Sequence, residues 1–410
     1  MIQKLKNTFL NFGYILPLSL SFLLPFGINY TLIIIIWAMF FLFFNDTGKA
    51  LKNIFYTKWS YVLIGYFLIH AIGYFFSENK GVALFAIEKK LGFLIFPLFI
   101  FSSAYTTKQV NRIIDAFIAA CILSSLFCIA RTIYRYFADG VNDFYYKEFS
   151  YFLHPSYFAM YLIFAIILLI LVVKRRSTEV KRSYIYSIFL LFIVAIYFCS
   201  SKMGLLSALL VLPLTFIISE KVNAKILSGT LLILVAGLFV TNKFFPEPFD
   251  RMKMAANVMF SKKAIDKSDV ESTAVRILIW EESMKIIKEN FLFGTTPGDL
   301  TDKLNEAYQK NGLTGAYANS LNAHNQFLQT FIGTGIIGFI LLLLMTVYAL
   351  VYAIIRKYYL LALFSLLVIC NFMVESMLQV HAGFIFFVFF FCLLIRYDLT
   401  DKAERRAIGP

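Results

Sequence analysis

The chain has 410 residues, of which 60% are hydrophobic and only 15% charged, and its mean hydropathy is +0.76. That balance excludes an ordinary soluble domain, and unbroken apolar stretches close to the roughly 20 residues needed to cross a bilayer recur along the chain. The net charge of +14 would elsewhere raise nucleic acid as a partner, but the basic residues gather in short links such as Lys174, Arg175, Arg176, Lys181 and Arg182. That is how a membrane protein marks its cytoplasmic side, and no basic, aromatic-interleaved nucleic-acid surface is visible.

The opening residues, Met1 to Asn7 followed by an apolar run from Thr8, have the outline of a signal peptide. No small-residue cleavage site follows, and Pro17 and Pro25 interrupt the run, so it is read as a retained first span. The hydrophobic pattern predicts spans over residues 13–28, 30–45, 59–76, 84–102, 112–133, 155–173, 184–200, 203–219, 225–241, 326–355, 358–374 and 381–396. The first two are short enough for a re-entrant pair, and the fourth begins with Glu88, Lys89 and Lys90. The expected fold is therefore all-α: a polytopic transmembrane bundle of about 12 spans with a long, partly helical periplasmic loop. Its expected parts are an N-terminal bundle over 1–241, a loop lobe over 242–325 and a C-terminal membrane segment with a cytoplasmic tail over 326–410.

Sidedness follows from the links. With a cytoplasmic N-terminus, Lys49, Lys52 and Lys58, Lys108 and Arg112, the Lys174 to Arg182 cluster, Lys221 and Lys225, Arg356 and Lys357, and Arg396 to Arg406 all fall inside. The same parity puts the segment from about Thr241 to Asn325 outside, where equal numbers of basic and acidic residues make it neutral. A structureless loop of that length is unusual. Ser272 to Glu289 reads as a helix with Ile277, Trp280, Met284 and Ile287 on one face, which predicts a small helical lobe over the outer surface.

Cys121, Cys128, Cys199, Cys370 and Cys392 lie in or beside apolar spans without paired spacing, and read as small buried residues with no disulfide framework or metal site. No internal repeat and no Gly-rich phosphate loop is present, so neither nucleotide nor another cofactor is expected.

Three constellations could carry chemistry. Ala323-His324-Asn325-Gln326-Phe327-Leu328-Gln329 runs into Gly333, Gly335 and Gly338 where the outer loop re-enters the membrane. A neutral imidazole there can act as a base with one nitrogen while a neighbour holds the other; the alternative is an interfacial histidine that caps a span. The glycines read as close packing contacts rather than a cofactor loop. Arg276 and Trp280 share a helix face at i and i+4, and arginine's fork suits a diphosphate; the alternative is an ion pair with Glu281 or Glu282 and an interfacial or core indole. Ser200-Ser201-Lys202-Met203-Gly204 puts a lysine on the outer side against the positive-inside bias, either as a functional charge or snorkelling from a helix end. His154-Pro155-Ser156-Tyr157 opens a span, Glu375, Gln379 and His381 lie between the last two, and Arg131 and Arg135 flank the end of the fifth. His324, Arg276, Lys202, His154, Glu375 and His381 all fall on the same outer face, an arrangement suited to an anionic lipid-linked substrate.

At these residues the chain resembles the O-antigen ligase and O-antigen polymerase superfamily, whose hallmark is a His-Asn motif entering a Gly-rich span after a long periplasmic loop. Here that is His324-Asn325-Gln326 with Gly333, Gly335 and Gly338. Arg276 to Trp280, then Asn290-Phe291-Leu292-Phe293-Gly294, and His154-Pro155-Ser156-Tyr157 also resemble the family pattern. The family usually has Ser-Arg after its seventh span, whereas Ser201-Lys202 here keeps the charge without the bidentate fork. The resemblance implies transfer of a glycan from an undecaprenyl-diphosphate carrier to an acceptor hydroxyl at the periplasmic face of the bacterial inner membrane, without metal or nucleotide. His324 would be the base, Arg276 and Lys202 would hold the diphosphate, and His154, Asn325, Gln326, Trp280, Glu375 and His381 would support them. The acceptor would be lipid A-core for a ligase or another glycan for a polymerase. A protein acceptor is less favoured, since no periplasmic domain follows the last span. A transporter or lipid-carrier flippase is the rival; it would show paired broken helices and charges near the midplane. A scaffold would leave His324 replaceable.

Overall fold

The structure is a computed structural model that describes residues 13–44, 48, 52, 54–55, 57–103, 105–173, 182–219, 267–268, 270 and 273–408. The predicted ninth span, about the first third of the outer loop and most of the Lys174 to Arg182 cluster lie outside the described residues.

The described residues form helices without a strand: α1 (Ile15–Leu23), α2 (Thr31–Phe44), α3 (Lys58–Phe76), α4 (Lys80–Lys90), α5 (Gly92–Ser102), α6 (Thr107–Asp139), α7 (Tyr146–Phe149), α8 (Pro155–Leu168), α9 (Arg182–Phe198), α10 (Lys202–Ser219), α11 (Thr273–Glu289), α12 (Leu300–Asn311), α13 (Thr314–Ala318), α14 (Gln326–Leu343), α15 (Ala349–Ile355), α16 (Tyr359–Phe372) and α17 (His381–Ile408). Among the described residues, six stretches are long and apolar enough to cross a membrane: Lys58–Phe76, Thr107–Asp139, Pro155–Val173, Lys202–Ser219, Gln326–Ile355 and His381–Leu399. Shorter apolar helices cover Ile15–Phe26, Thr31–Phe43, Ser183–Phe198 and Tyr359–Phe372. The protein is thus a multi-pass helical membrane protein. The expected span over 84–102 is corrected: it is two helices, α4 and α5, that meet at Leu91.

Local chemistry sets the ends that matter. α6 opens on a reciprocal capping box between Thr106 and Gln109 and closes on Gly140 in the left-handed conformation. Its 33 residues extend to about 50 Å at 1.5 Å per residue, well beyond the hydrocarbon core. Near its end, Arg131 and Arg135 both pair with the buried Asp143 of the following link. α8 starts at His154, whose Nδ1 accepts from Ser156 N, with Pro155 in the first turn.

α8 is apolar all round and buried along its length, and so forms the axis of the bundle. Phe117 of α6, Phe164 and Tyr161 of α8 and Phe386 and Phe390 of α17 pack ring against ring around it. Gly204 brings α10 so close to α8 that a Cβ would lie 2.6 Å from the Ala159 Cβ. Ser201 Oγ is 3.3 Å from Ser156 Oγ, so the starts of α8 and α10 stand side by side.

α11, α12 and α13 pack around a small core of their own, with Val275, Ile279, Ile287, Leu304 and Tyr308 buried. The predicted helix over 272–289 is present as Thr273–Glu289, and its predicted face is inward only in part: Ile287 is buried and Trp280 packs on this core. Val275, Ile279, Glu282, Ser283 and Ile286 turn inward while Met284 is exposed. The buried Glu282 carboxylate accepts from Lys285 Nζ at 2.7 Å and Asn311 Nδ2 at 3.0 Å, which lets a charged residue occupy the inner face.

These helices are held against the bundle at the α3–α4 link. Asp299 accepts from the backbone N–H groups of Glu78 and Asn79 at 2.9 Å each and from Thr296 Oγ1 at 2.8 Å. Burial acts to raise the Asp299 carboxyl, but these donors and Lys303 outweigh it and hold it below its usual range.

Candidate functional site

The site is built where four separate segments meet. Asn325 caps α14, its Oδ1 accepting from Phe327 N at 2.9 Å and Leu328 N at 3.2 Å. The residue before it, His324, has φ of +44°, left-handed backbone that a non-glycine residue adopts at a cost of about 1–3 kcal/mol. That conformation is over-determined by its neighbours. Trp280 Nε1 donates to Ala323 O at 2.9 Å, Ala323 N donates to Gln329 Oε1 at 2.8 Å, and His324 N donates to Asn322 Oδ1 at 2.8 Å.

The imidazole so placed faces the link between α16 and α17. His324 Nδ1 lies 3.7 Å from Glu375 Oε2, an electrostatic contact beyond hydrogen-bond length. Both ring nitrogens are buried without a hydrogen-bond partner among the described residues. The other carboxylate oxygen, Glu375 Oε1, is 3.3 Å from Arg276 Nη2, and Arg276 Nη1 donates to Val374 O at 2.7 Å. Glu375 is therefore the partner of Arg276. Glu281 and Glu282, within reach in the sequence, are not; Glu282 is taken by Lys285 and Asn311.

Burial acts to raise the Glu375 carboxyl, but the close approach of His324 and the charges of Arg276 and His154 outweigh it, so the carboxyl lies below its usual range. His154 thus shares the electrostatic environment of this site from the start of α8. Lys202 opens α10 beside it, half-buried. Ser200, just before, has φ of +48°, a second non-glycine residue in the left-handed region.

The Glu375 link is gripped along its length. Asn325 Nδ2 donates to Met373 O at 3.1 Å, and Leu378 N donates to Gln326 Oε1 at 2.7 Å. Gln326 Nε2 donates in turn to Thr330 Oγ1, whose hydroxyl meets Tyr66 Oη at 3.0 Å. From the opposite side the buried Lys90 ammonium donates to Leu378 O, and Lys89 Nζ donates to Gln379 O at 3.4 Å. Tyr66, Thr330 and Lys90 were not singled out in the sequence. Lys90 was visible only as a charge that spoiled the fourth span.

His381 is exposed and opens α17 on another side, where its charged neighbours are Glu88, Lys89 and Lys90. There it lines a cleft of about 650 Å³ between α2, α4, α5 and α17, walled mainly by apolar side chains such as Ile34, Ile95, Phe96 and Phe384. His154 and Tyr157 also line the cleft, so it runs from the His381 region to the start of α8. Of the glycines after the motif, Gly333 packs against Leu300 and Gly335 against the Leu292 backbone. Both contacts are with the α11–α12 region rather than with a neighbouring span.

No group of three or more His, Cys, Asp or Glu with metal-binding geometry occurs among the described residues. Chemically, the arrangement provides an imidazole with a carboxylate near Nδ1, an arginine that pairs with the carboxylate, a second imidazole at the start of α8 and a lysine at the start of α10. Residues 151–343 match the family model described as O-antigen ligase. The matched region is somewhat less than half of the chain and contains His154, Lys202, Arg276, Trp280, His324, Asn325 and Gln326, while Glu375 and His381 follow it. None of the curated proteins matches the chain.

Proposed function

We propose that this chain, whose residues 151–343 match the family model described as O-antigen ligase, belongs to that superfamily and transfers a glycan from an undecaprenyl-diphosphate carrier to an acceptor hydroxyl, with His324 as base. The family is one of glycosyltransferase-like membrane enzymes, and it implies a lipid-linked glycan donor and a glycan acceptor within a membrane. The observation that carries the residue assignment is the His324–Glu375–Arg276 arrangement.

In this reading the acceptor oxygen attacks the anomeric carbon of the donor sugar. The new C–O bond forms as the bond from that carbon to the diphosphate oxygen breaks, and the leaving diphosphate keeps the electron pair. The acceptor proton goes to His324 Nε2. Glu375 lies 3.7 Å from Nδ1, a negative charge beside the ring on the side away from the acting nitrogen. Arg276 and Lys202 supply positive charge for the diphosphate as its negative charge grows, the stage at which preorganised charge lowers the barrier, and His154 supports them from the start of α8. Trp280, Asn325 and Gln326 hold the motif and the Glu375 link in register. The apolar cleft beside His154 suits the carrier's hydrocarbon chain, with Lys89 and His381 at its margin. We place this face on the periplasmic side of the inner membrane because the basic links predict that orientation. The division into a bundle to 241, a lobe over 242–325 and a C-terminal segment from 326 belongs to the same reading.

Ligation to lipid A-core and polymerisation of a glycan use the same step and differ in the acceptor. The transporter reading would be favoured by a broken span open to a ligand. α14 is broken at Gly335, but the groups freed there are occupied by the protein's own backbone: Thr295 N donates to Ile332 O at 2.7 Å, and Ile336 N donates to Phe291 O at 2.9 Å.

The test is complementation of a strain lacking the protein, following surface polysaccharide on gels with membrane levels of each variant checked. Well-expressed His324→Ala and Arg276→Ala proteins that fail to make the long glycan support transfer. Retained lipid-linked polymer would then indicate a ligase, and a single repeat on the core a polymerase. A normal pattern from both variants would overturn the assignment.

A further inference from the structure

The broken hydrogen bond in α14 points to a membrane contact outside the site described above. In a continuous helix Ile336 N–H would donate to Ile332 C=O. Gly335, at φ +62° and ψ −163°, interrupts that ladder, and the segment after α11 fills the gap. Thr295 N–H and Thr295 Oγ1 both donate to Ile332 O, while Ile336 N–H donates to Phe291 O. Gly294, itself at φ +72°, meets this break so tightly that a Cβ would lie 2.5 Å from Gly335 N. The chain from Phe291 to Thr295 is therefore stitched into a candidate span, Gln326–Ile355.

Its side chains face away from the protein. Phe291, Leu292 and Phe293 are 49%, 59% and 77% exposed, three successive large apolar residues in a segment whose other exposed neighbours are polar. A soluble loop does not present such a tip without a partner. Its surroundings name that partner. Phe291 packs on Phe331, Phe331 stacks on Phe339, and Ile337 and Ile340 continue the exposed apolar surface down α14.

The height of the tip follows from α3, whose 19 residues extend to about 28 Å, close to the thickness of the hydrocarbon core. Pro297 rests on Gly73, where a Cβ would meet its Cδ at 2.5 Å, and Gly73 is one turn from the end of α3. Ile72 and Phe76 of α3 are exposed on that last turn. Pro297, four residues past the tip, thus lies level with the last turn of a span, and the tip itself is bonded to α14 at Ile336, ten residues past the start of another.

We propose that Phe291, Leu292 and Phe293 insert into the acyl-chain region of the leaflet on the α11 side and act as a lipid anchor. The partner is the hydrocarbon of membrane lipid. The consequence is mechanical. α11 is one rigid helix carrying Arg276 near its start and running directly into the anchor, so the anchor sets the height of the guanidinium relative to the bilayer surface. The inference requires only that the spans cross a membrane, and stands apart from the proposed transfer reaction.

The test uses the full-length protein in vesicles of phosphatidylethanolamine and phosphatidylglycerol. Phe293→Cys, and separately Leu292→Cys, carry a bimane fluorophore; Asp302→Cys on the exposed face of α12 is the control, with labelling of the unsubstituted protein as background. The proposal expects blue-shifted emission at both tip positions, quenched several-fold more by a nitroxide placed shallow in the lipid acyl chain than by aqueous iodide. At Asp302 the order reverses. Iodide quenching at the tip equal to that at Asp302 overturns the proposal. So does protection from both quenchers, which would show the tip covered by protein, either a second copy or another part of the chain.

Discussion

Glu375 and His324 come from links 51 positions apart in sequence and meet with Oε2 and Nδ1 3.7 Å apart, inside a shell that fixes both backbones. The motif that places His324 also places its partner, because Asn325 and Gln326 bind the Met373 carbonyl and the Leu378 N–H on either side of Glu375. A carboxylate held this way places a fixed negative charge beside the imidazole.

Glu375→Gln is therefore expected to lower the transfer rate by about a hundredfold or more, with only a modest loss of folded protein, because the amide retains hydrogen-bonding capacity toward Arg276. The check is initial rate against purified protein, with thermal unfolding of the same preparation. Glu375→Ala should in addition destabilise the fold by about 3–5 kcal/mol, since it leaves the Arg276 charge partly buried without its partner.

The pH dependence follows from the same carboxylate. Its folded value lies below its ordinary one, so the stabilisation it contributes is fully present above the ordinary carboxylate range and is lost as pH falls through the folded value. Unfolding midpoints should be flat near neutrality and decline below about pH 4.5, and Glu375→Gln should flatten that decline. Thermal unfolding in detergent across that range measures it.

Lys90→Met is expected to reduce turnover with little change in the KM for the donor. The buried ammonium holds Leu378 O on the far side of the Glu375 link and lies outside the diphosphate-binding groups. Lys90→Arg should restore part of the rate. Steady-state kinetics of the two variants distinguish this from a general folding defect, which would lower the active fraction of both.

Asp299→Ala removes the acceptor of the Glu78 and Asn79 backbone N–H groups, at about 0.5–1.5 kcal/mol for each hydrogen bond lost. Hydrogen exchange should rise at the α3–α4 link and in α12 while α8 stays protected.

Much of this site could be read in the sequence, and the reason is topological. Charge parity of the links assigned Arg276, His324, His154 and Glu375 to one face, and the structure brings the first three around the Glu375 carboxylate. Lys202 stands beside the start of α8, whereas His381 opens the neighbouring cleft. The orientation of α11 was not legible, because polar Glu282 and Ser283 turn inward through bonds to Lys285, Asn311 and the Ile279 carbonyl that apolar periodicity does not report. The break at Gly335 was also hidden. A glycine in an apolar run suits close helix packing equally well, and only the distant segment at Phe291–Thr295 shows that the ladder is opened and refilled. Lys90 was masked by its setting, since a lysine at the edge of a span usually reaches for water, while this one binds a carbonyl in the interior.

The most direct measurement is release of polyprenyl diphosphate from a purified polyprenyl-diphosphate oligosaccharide in vesicles that contain this protein and an acceptor glycolipid, without added metal or nucleotide. The account predicts acceptor-dependent release by the unsubstituted protein and a loss of about a hundredfold or more with His324→Ala, at equal amounts of folded protein. Release at the same rate from the His324→Ala protein would contradict it.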